Sequence, residues 1–477
     1  MKQALLAALF FCAVAATANE RGDYLVQMAP STQSEIKLMA LAPAGSKIES
    51  LGVNNWYRVR LPADQASAFR AQGLMQNKAV NAVQSNFVIR PFESSSLNEA
   101  RAQFKALGLD KNSVGIQAAS PDNPSIPSNG SGGNGADPLF NNQWGMRQAN
   151  VKNAWEKGTG SPEMIVAVID TGVDYTHEDL VDNMWRNTNE IPGNNVDDDK
   201  NGYVDDIVGW DFADNDNKPY DKYGGFTDIL NGKNPGHGTH CAGNVAARGS
   251  NGKGISGVAP NVRIMGLRFI TYEGSGTTAD AIKAIKYAVD NGAKVLSNSW
   301  GSEGEDPNDP DSGALKDAIR YAEGKGALFV AAAGNGHQGR GYNNDTDSRP
   351  AYPASYDMES IISVAAINSS GSFGSFSNWG VRSVDIGAPG VKVFSTVPAA
   401  RYQDSIGNFL GQELNWDGTS MAAPHVAGAV ALYWSAHPEK TWQQVKSALL
   451  ASVKKTSQMS GKVSSGGQLD VQALMNQ

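Results

Sequence analysis

The sequence contains little cysteine and little charge. Cysteine occurs twice in 477 residues, at Cys12 and Cys241, and only 18% of the residues are charged. Cys12 lies in an apolar N-terminal stretch typical of a cleaved targeting signal, so a processed protein keeps one thiol and no internal disulfide. Cys241 directly follows His240, which leaves a cysteine nucleophile open, although the small residues around it favour a buried structural thiol. The net charge of −8 argues against a nucleic-acid-binding surface.

Long apolar runs are also scarce. Residues 4–16 form one apolar stretch, which follows Lys2 and ends in Ala16-Thr17-Ala18. This pattern is typical of a secretory signal peptide cut after Ala18. The stretch is too short to span a bilayer stably, and no later stretch is long and apolar enough to be a membrane anchor. We therefore expect residues 1–18 to be a signal peptide and the protein to be exported, either secreted or periplasmic.

Small residues, by contrast, are abundant, and they dominate the stretch GTSMAAPHVAG at residues 418–428. It opens a predicted helix that is small and apolar on nearly every side, so we expect the helix to be buried. Ser420 at its start lies beside backbone N–H groups that lack helical partners, a place suited to an oxyanion. Taken alone, Thr419 or Ser420 is better explained as an N-cap.

Two further stretches supply partners for Ser420. The apolar strand MIVAVID ends at Asp170, and GHGTHCAG places His237 between two glycines. Together these three residues are the parts of a nucleophilic triad. Ser420 is the predicted nucleophile, His237 the general base and then acid, and Asp170 the group that fixes the imidazole tautomer.

The motifs resemble those of the subtilisin-like serine proteases, in which Asp, His and Ser follow one another in this chain order. The resemblance is carried by VAVIDTGVD, GHGTHCAG, GTSMAAPHVAG, AAAGN (331–335) and SWG (299–301), between about Gln143 and Leu474. It implies a serine endopeptidase that hydrolyses protein and peptide substrates through an acyl-enzyme. The implied catalytic domain covers residues 137–477.

The predicted secondary structure agrees with that family's fold. Strands are predicted at 164–170, 262–267, 293–298, 327–333, 361–367 and 384–386, and helices at about 149–156, 237–248, 277–291, 312–325, 419–436 and 441–451. Such alternation is typical of a mostly parallel sheet with helices on both faces. The predicted fold class is therefore α/β.

The resemblance also assigns roles to residues that spacing alone would not select. Asn335 would donate a side-chain hydrogen bond to the oxyanion, together with the backbone N–H of Ser420. Without the resemblance, an Asn beside Gly334 is better explained as a turn residue. The implied substrate-pairing edge is Ser299, Trp300 and Gly301, and the implied pocket is lined by Ala331, Ala332, Ala333 and Gly334. Backbone pairing makes little demand on substrate sequence, so we expect broad specificity.

Residues 19–92 read as a small α+β unit. Strand-like alternation flanks two predicted helices, Thr32–Leu41 and Pro62–Met75. Its position resembles that of the family's inhibitory prosegment, a ferredoxin-like domain that occupies the cleft until it is cut away. Residues 93–136 are rich in Ser, Asn, Gly and Pro and are predicted to be a flexible linker, with the cleaved bond in or before it.

The segment between Asp170 and His237 is long and acidic, and it predicts a calcium site. Its residues follow the 1, 3, 5, 7, 9 spacing of an oxygen-ligand loop: Asp197, Asp199, Asn201, Tyr203 and Asp205. Position twelve is Val208 in place of a bidentate Glu, so Asp206 is expected to complete the shell. A solvated acidic loop is the alternative. The resemblance adds Asp179 as a calcium position, and a second site could be formed by Asp211, Asp214, Asp216 and Asp221.

Two other functions stay open. One is a processing protease of narrow specificity, which an acidic cleft facing basic residues would favour. The other is an inactive calcium-binding surface protein that keeps the fold. The triad and Asn335 all have the residue types that catalysis needs, which favours an enzyme. The expected partners are protein and peptide substrates and the chain's own prosegment, with no nucleic acid, and we expect a monomer.

Overall fold

The structure is a computed structural model, and it describes residues 22–65, 71–112, 136–303, 313–337 and 339–477. The predicted signal peptide, residues 1–18, lies outside these ranges, as do positions 113–135 of the predicted linker. Among the described helices, none is both long and apolar enough to cross a lipid bilayer.

The N-terminal unit is a four-stranded antiparallel sheet with two helices. Its elements are β1 (Asp23–Met28), α1 (Ser34–Leu41), β2 (Lys47–Ser50), β3 (Trp56–Arg60), α2 (Ala71–Leu74) and β4 (Val80–Ser85). The strands lie in the order β2-β3-β1-β4. Apolar residues alternate along the strands, so Val26 and Val59 face the same side of the sheet. They form part of a separate small core together with Leu38 of α1. The predicted α+β unit is confirmed. Residues 66–70 of the predicted helix Pro62–Met75 lie outside the described residues, and α2 is described over Ala71–Leu74.

The next two elements are strand β5 (Val88–Pro91) and helix α3 (Ser95–Ala106). The structure thus corrects the start of the predicted linker, because residues 95–106 are helical. The Ser94 hydroxyl caps this helix by accepting the Leu97 N–H at 3.1 Å. Leu97, Ala100 and Phe104 form a buried stripe at helical spacing. The helix was not predicted because residues 93–136 are polar on average, and this short amphipathic pattern is only a small part of them.

The remaining elements belong to the large C-terminal domain. Its first half contains α4 (Trp144–Gln148), α5 (Val151–Ala154), β6 (Ile165–Asp170), β7 (Gly209–Asp211), α6 (Phe226–Leu230), α7 (His237–Ala246), β8 (Arg263–Arg268), β9 (Gly276–Thr277), α8 (Thr278–Asp290), β10 (Val295–Asn298) and β11 (Trp300–Glu303). Its second half contains α9 (Ala314–Gly324), β12 (Leu328–Ala332), β13 (Ala351–Tyr352), β14 (Ile361–Ile367), β15 (Ile386–Pro389), β16 (Ser395–Val397), β17 (Arg401–Gln403), β18 (Ser405–Phe409), β19 (Gln412–Asn415), α10 (Thr419–Ala436), α11 (Trp442–Ala451), β20 (Lys454–Lys455), β21 (Gly467–Gln468) and α12 (Val471–Met475).

One large sheet organises this domain, with the strand order β20-β21-β15-β14-β12-β10-β6-β8-β7. Among the described strands, all of its pairings are parallel except that of β20 with β21. Alternate residues of β6 face opposite sides. Val166 and Val168 join the core that contains α7 and α10, whereas Ala167 and Ile169 join the core that contains α8 and α9. The predicted α/β class with a mostly parallel sheet is therefore confirmed.

Helix α10 passes through the core with residues 419–434 buried. Pro424 within it has no N–H to donate to the carbonyl of Ser420, four residues earlier. That carbonyl instead accepts the hydroxyl of Ser299, with a distance of 2.8 Å between the oxygens. The proline thereby allows residue 299 to be fixed against the start of α10.

The N-terminal sheet contacts the large domain at the first turns of α8 and α9. Asn86 Oδ1 accepts the N–H of Ala279 at 2.9 Å, and Gln84 Oε1 accepts the N–H of Ala314 at 3.0 Å. Helix N-termini have N–H groups without helical partners, so the sheet supplies two of the missing acceptors. These contacts set the position from which β5 enters the large domain.

Candidate active site

Asp170 is the last residue of β6, His237 is the first residue of α7, and their side chains meet. Nδ1 of His237 lies 2.8 Å from Oδ1 of Asp170, and neither residue is more than 1% exposed. A carboxylate at this distance places the imidazole proton on Nδ1 and leaves a lone pair on Nε2. Burial acts to lower the pKa of His237, but the Asp170 carboxylate outweighs it and raises that pKa well above its ordinary value. The imidazole is therefore a stronger base than a free histidine.

Ser420 is the second residue of α10 and is fully buried. Its hydroxyl donates to the carbonyl of Ser299 at 2.7 Å. Nε2 of His237 has no hydrogen-bond partner within the part of the chain that the structure describes. The structure therefore joins Asp170 to His237, whereas the Ser420 hydroxyl bonds to a backbone carbonyl. Proton transfer requires that hydroxyl to exchange its acceptor for Nε2, a contact that often forms only with substrate in place.

Asp221 links the two chain segments that carry Asp170 and His237. Its Oδ2 accepts the N–H and the hydroxyl of Thr239, at 2.8 and 2.6 Å, and its Oδ1 accepts the hydroxyl of Thr171 at 2.8 Å. Burial raises the pKa of Asp221 to about 6. The sequence analysis did not predict this role of Asp221. No local pattern connects it to Thr171, 50 residues earlier, or to Thr239, 18 residues later.

Asn335 follows β12 and holds a defined orientation. Its Oδ1 accepts the N–H and the hydroxyl of Thr419, both at 2.9 Å. The amide nitrogen must therefore face the other way, where it donates to the carbonyl oxygens of Phe92 and Glu93, both at 2.7 Å. Asn335 thus presents a fixed donor to two peptide carbonyls of the same chain.

Phe92 directly follows β5, a strand that lies between two others. β5 pairs antiparallel with β11, with Gly301 opposite Arg90, and with β9 on its other side. The N–H of Phe92 donates to the carbonyl of Ser299 at 3.2 Å. A Cβ added to Gly301 would lie 2.6 Å from Cζ of Phe92, so a glycine is needed where this ring packs. Residues 88–92 occupy this cleft as an extended peptide substrate would.

The predicted substrate residues divide into two groups. Ser299 and Gly301 contact residues 88–92 as described, and Trp300 pairs with Pro91 through its backbone while its side chain is buried. Residues 331–333 are buried in the core behind the cleft. Gly334 donates its N–H to the hydroxyl of Thr419 at 3.1 Å. The open cavity beside Phe92, about 460 Å³, is lined instead by residues that include Gly301, Ser302, Asn335, Gly336, Gly339 and Arg349.

Cys241 is buried next to His237. Its Sγ lies 3.9 Å from Nδ1 of His237 and donates to the carbonyl of Ser420 at 3.5 Å. Burial raises the pKa of the thiol, so the thiolate that a nucleophile requires is disfavoured. The arrangement supports the structural interpretation of Cys241 over the alternative of a cysteine nucleophile.

Three carboxylates converge in the acidic segment between β6 and α7. Oxygens of Glu190, Asp199 and Asp206 lie within 4.8 Å of one another. Glu190 and Asp206 are buried, and burial raises the pKa of Asp206. Grouped carboxylates repel one another unless a cation lies between them, and an all-oxygen donor set suits a hard cation such as Ca²⁺. Glu190 was not predicted, because it precedes the spaced loop by seven residues.

Among the other predicted metal ligands, Asn201 contacts this cluster, whereas the carboxylates of Asp205, Asp197 and Asp179 accept hydrogen bonds from groups outside it. Both carboxylate oxygens of Asp205 accept backbone N–H groups of residues 193–195. Asp197 likewise accepts the N–H groups of residues 201 and 202. Asp179 accepts from the side chain of Asn251 and the N–H of Ile255. The side-chain amide of Asn201 donates to Asp199 and Asp206, and the ring of Tyr203 packs on Trp210 and Tyr287.

The possible second calcium site has a different organisation. Asp211 and Asp214 both accept hydrogen bonds from Arg268, which supplies a positive charge to them directly. Asp221 belongs to the network of Thr171 and Thr239 described above. These carboxylates therefore do not form one ligand set.

Comparisons with known proteins agree with this geometry. A family model described as the subtilase family matches residues 161–467. The chain is 39% identical over 290 residues to the thermophilic serine proteinase of Bacillus sp. (strain AK1), covering 61% of this chain and 57% of that protein. It is 36% identical over 297 residues to thermitase of Thermoactinomyces vulgaris, covering 62% and 84% respectively.

A solved structure extends the similarity to nearly the whole chain. The crystal structure of fervidolysin from Fervidobacterium pennivorans, described as a keratinolytic enzyme related to subtilisin, matches with a TM-score of 0.65 and 25% identity. The match covers 96% of this chain and 61% of that one. This chain thus spans about three fifths of both fervidolysin and the Bacillus proteinase.

The class that the fold and the chain order of Asp170, His237 and Ser420 define is that of the subtilisin-like proteins. Because the family model covers more than half of its residues, the chain belongs to the subtilase family.

Replacing Asp221 by asparagine tests its positioning role. Both carboxylate oxygens of Asp221 accept hydrogen bonds, and Asp221→Asn replaces one of them by an NH₂ group that cannot accept. The segments that carry Asp170 and His237 should therefore shift relative to each other. We expect kcat on a peptide substrate to fall by roughly tenfold to a hundredfold, with a much smaller change in KM. The exposed Glu273→Gln is the control, and both variants should be shown to be folded by thermal unfolding. An unchanged kcat for Asp221→Asn would contradict the role.

Proposed function

We propose that this protein hydrolyses peptide bonds with Ser420 as nucleophile and His237 as general base. Ser420 Oγ attacks the carbonyl carbon while its proton passes to Nε2 of His237, and Asp170 stabilises the imidazolium that results. His237 then protonates the leaving amine, and water releases the acyl-enzyme. Asn335 and the backbone N–H of Ser420 stabilise the oxyanion. The single observation that carries this proposal is the Phe92 carbonyl, which accepts the Asn335 amide in the cleft next to the triad.

The enzyme is made as a zymogen in which residues 19–92 are the inhibitory prosegment. Support comes from β5, which fills the cleft by pairing with β11 and β9. The Asn335 amide donates to the carbonyls of both Phe92 and Glu93. Phe92 is the one that continues the pairing of β5 along the cleft edge, because its N–H donates to the Ser299 carbonyl, so the bond cut during maturation is Phe92–Glu93. Residues 93–136 then begin the mature chain.

Specificity is broad, because β5 is held chiefly through backbone pairing on both sides. In the chain's own segment, the residue before the cleaved bond is Phe92, whose large apolar ring lies beside Gly301. Proteins and unfolded peptides that can add a strand between β11 and β9 are therefore the substrates.

Calcium binds at Glu190, Asp199 and Asp206, and supplies structural charge neutralisation in the segment between Asp170 and His237. The protein is exported through the signal peptide predicted at residues 1–18. A relative from Natrialba magadii, 31% identical over 360 residues, is described as a halolysin-like extracellular serine protease, which supports this location.

Loss of the nucleophile should stop maturation. We expect wild-type chain to yield a fragment whose N-terminal residue is Glu93, because Phe92 pairs with Ser299 at the cleft edge while its carbonyl accepts the Asn335 amide. Ser420→Ala should stay uncut, and its peptidase activity should fall by about 10⁶-fold, the loss that removal of such a nucleophile causes in subtilisin. The exposed Ser369→Ala is the matched control. Intact-mass analysis decides the matter, and production of the same fragment by Ser420→Ala would contradict self-cleavage.

Calcium binding is tested by thermal unfolding of Ser420→Ala protein, which cannot digest itself. Removal of Ca²⁺ by a chelator should lower Tm, since the three carboxylates then repel one another. Glu190→Gln should reduce the difference in Tm between calcium and chelator. Asp205→Asn should lower Tm in both conditions and leave that difference intact, because its carboxylate accepts the N–H groups of residues 193–195 and is not one of the three that converge. Equal Tm values with and without calcium would exclude the site.

A further inference from the structure

The chain that follows the Phe92–Glu93 bond forms a second contact with the large domain. Chain direction places residues 93–106 on the leaving-group side of the cleft, opposite the prosegment strand. The apolar stripe of α3, Leu97, Ala100 and Phe104, packs there in a cluster with Ile229, Leu230 and Leu414. The ring of Phe104 lies edge-on to that of Phe409, with the centroids 5.8 Å apart. We call the surface between α6 and the β18–β19 hairpin the leaving-group groove.

A polar anchor holds the same segment at the bond itself. The guanidinium of Arg101 donates to the backbone carbonyls of Ile229 at 2.8 Å and Lys233 at 3.2 Å. It also forms a two-pronged ion pair with the carboxylate of Glu93, in which both side chains are mostly buried. Bidentate pairs of this kind are among the stronger ones in proteins. The residue that becomes the new N-terminus is thus tied to the groove through α3.

The start of α3 also covers the general base. Glu93, Ser94 and Leu97 line a small enclosed space together with His237 and Trp416. In the reaction, the bond from the Phe92 carbonyl carbon to the nitrogen of Glu93 breaks, and this amine takes the proton from His237. Water must then reach the acyl carbon with His237 as its base. An amine that stays beside the acyl group can attack it again and restore the peptide bond.

We infer that α3 is an inhibitory latch and that the leaving-group groove is a binding site for the apolar face of a short amphipathic helix. This inference rests on the proposed function. Cleavage of Phe92–Glu93 does not by itself free the site, because residues 93–106 remain docked by Leu97, Phe104 and Arg101. Full activity requires a second event in which α3 leaves the groove and opens the leaving-group side to substrates.

The test follows two readouts in the full-length protein over time. Intact mass reports scission of Phe92–Glu93, and hydrolysis of a fluorogenic peptide with Phe before its cleaved bond reports activity. The prosegment itself delays activity after scission, so the comparison between variants is decisive. Leu97→Asp places a charge in the groove, and Arg101→Gln removes the anchor of Glu93. Gln103→Asp and Lys105→Gln are matched controls at exposed positions of the same helix.

We expect Leu97→Asp and Arg101→Gln each to shorten the interval between scission and activity by roughly tenfold, while both controls match wild type. If Leu97→Asp does not fold, Arg101→Gln alone carries the test. An interval that is the same in wild type and Arg101→Gln would overturn the latch. So would activity that rises together with scission in wild type, and either result would leave the proposed function standing. Absence of scission in wild type would contradict the proposed function and the latch with it.

Discussion

The rest of the site depends on one buried hydrogen bond, between Nδ1 of His237 and Oδ1 of Asp170. It brings together the end of a central strand and the start of a helix that are 67 residues apart. Neither charge is exposed to water, so the pair is stable only because each segment has further support. Thr171 and Thr239 provide it through their shared acceptor, Asp221. The basicity of the imidazole follows from this arrangement.

Around this pair, packing decides where the other groups lie. Helix α10 is buried along most of its length, so Ser420 has a fixed position at its start. Asn335 is fixed by Thr419, the residue before Ser420, and this link couples the oxyanion donor to the nucleophile. Ser299 touches both sides, because its hydroxyl binds the Ser420 carbonyl and its own carbonyl binds residue 92. The donor, the nucleophile and the strand edge therefore form one connected unit.

The sequence allowed prediction of those parts of the site that lie in short contiguous motifs. The sheet, its buried helices and the Asp170, His237 and Ser420 segments follow from apolar runs and small-residue patterns. Asp221 and Glu190 were missed because their partners are distant in sequence and no fixed spacing joins them. Helix α3 was missed because its three apolar residues lie within a polar, glycine-rich segment whose average composition indicates a linker. Asp205 was assigned to calcium from loop spacing, whereas its carboxylate caps the turn at residues 193–195.

The central claim is that Ser420 becomes an activated nucleophile once the cleft is free. The most direct measurement is intact-mass and peptide-mass analysis after treatment with an organophosphonate, before and after scission of the prosegment. The account predicts a single adduct on Ser420 in the matured protein and much slower labelling of the uncut chain, in which residues 88–93 fill the cleft. A matured, folded protein that gains no adduct, or gains it at Cys241 instead, would contradict the account.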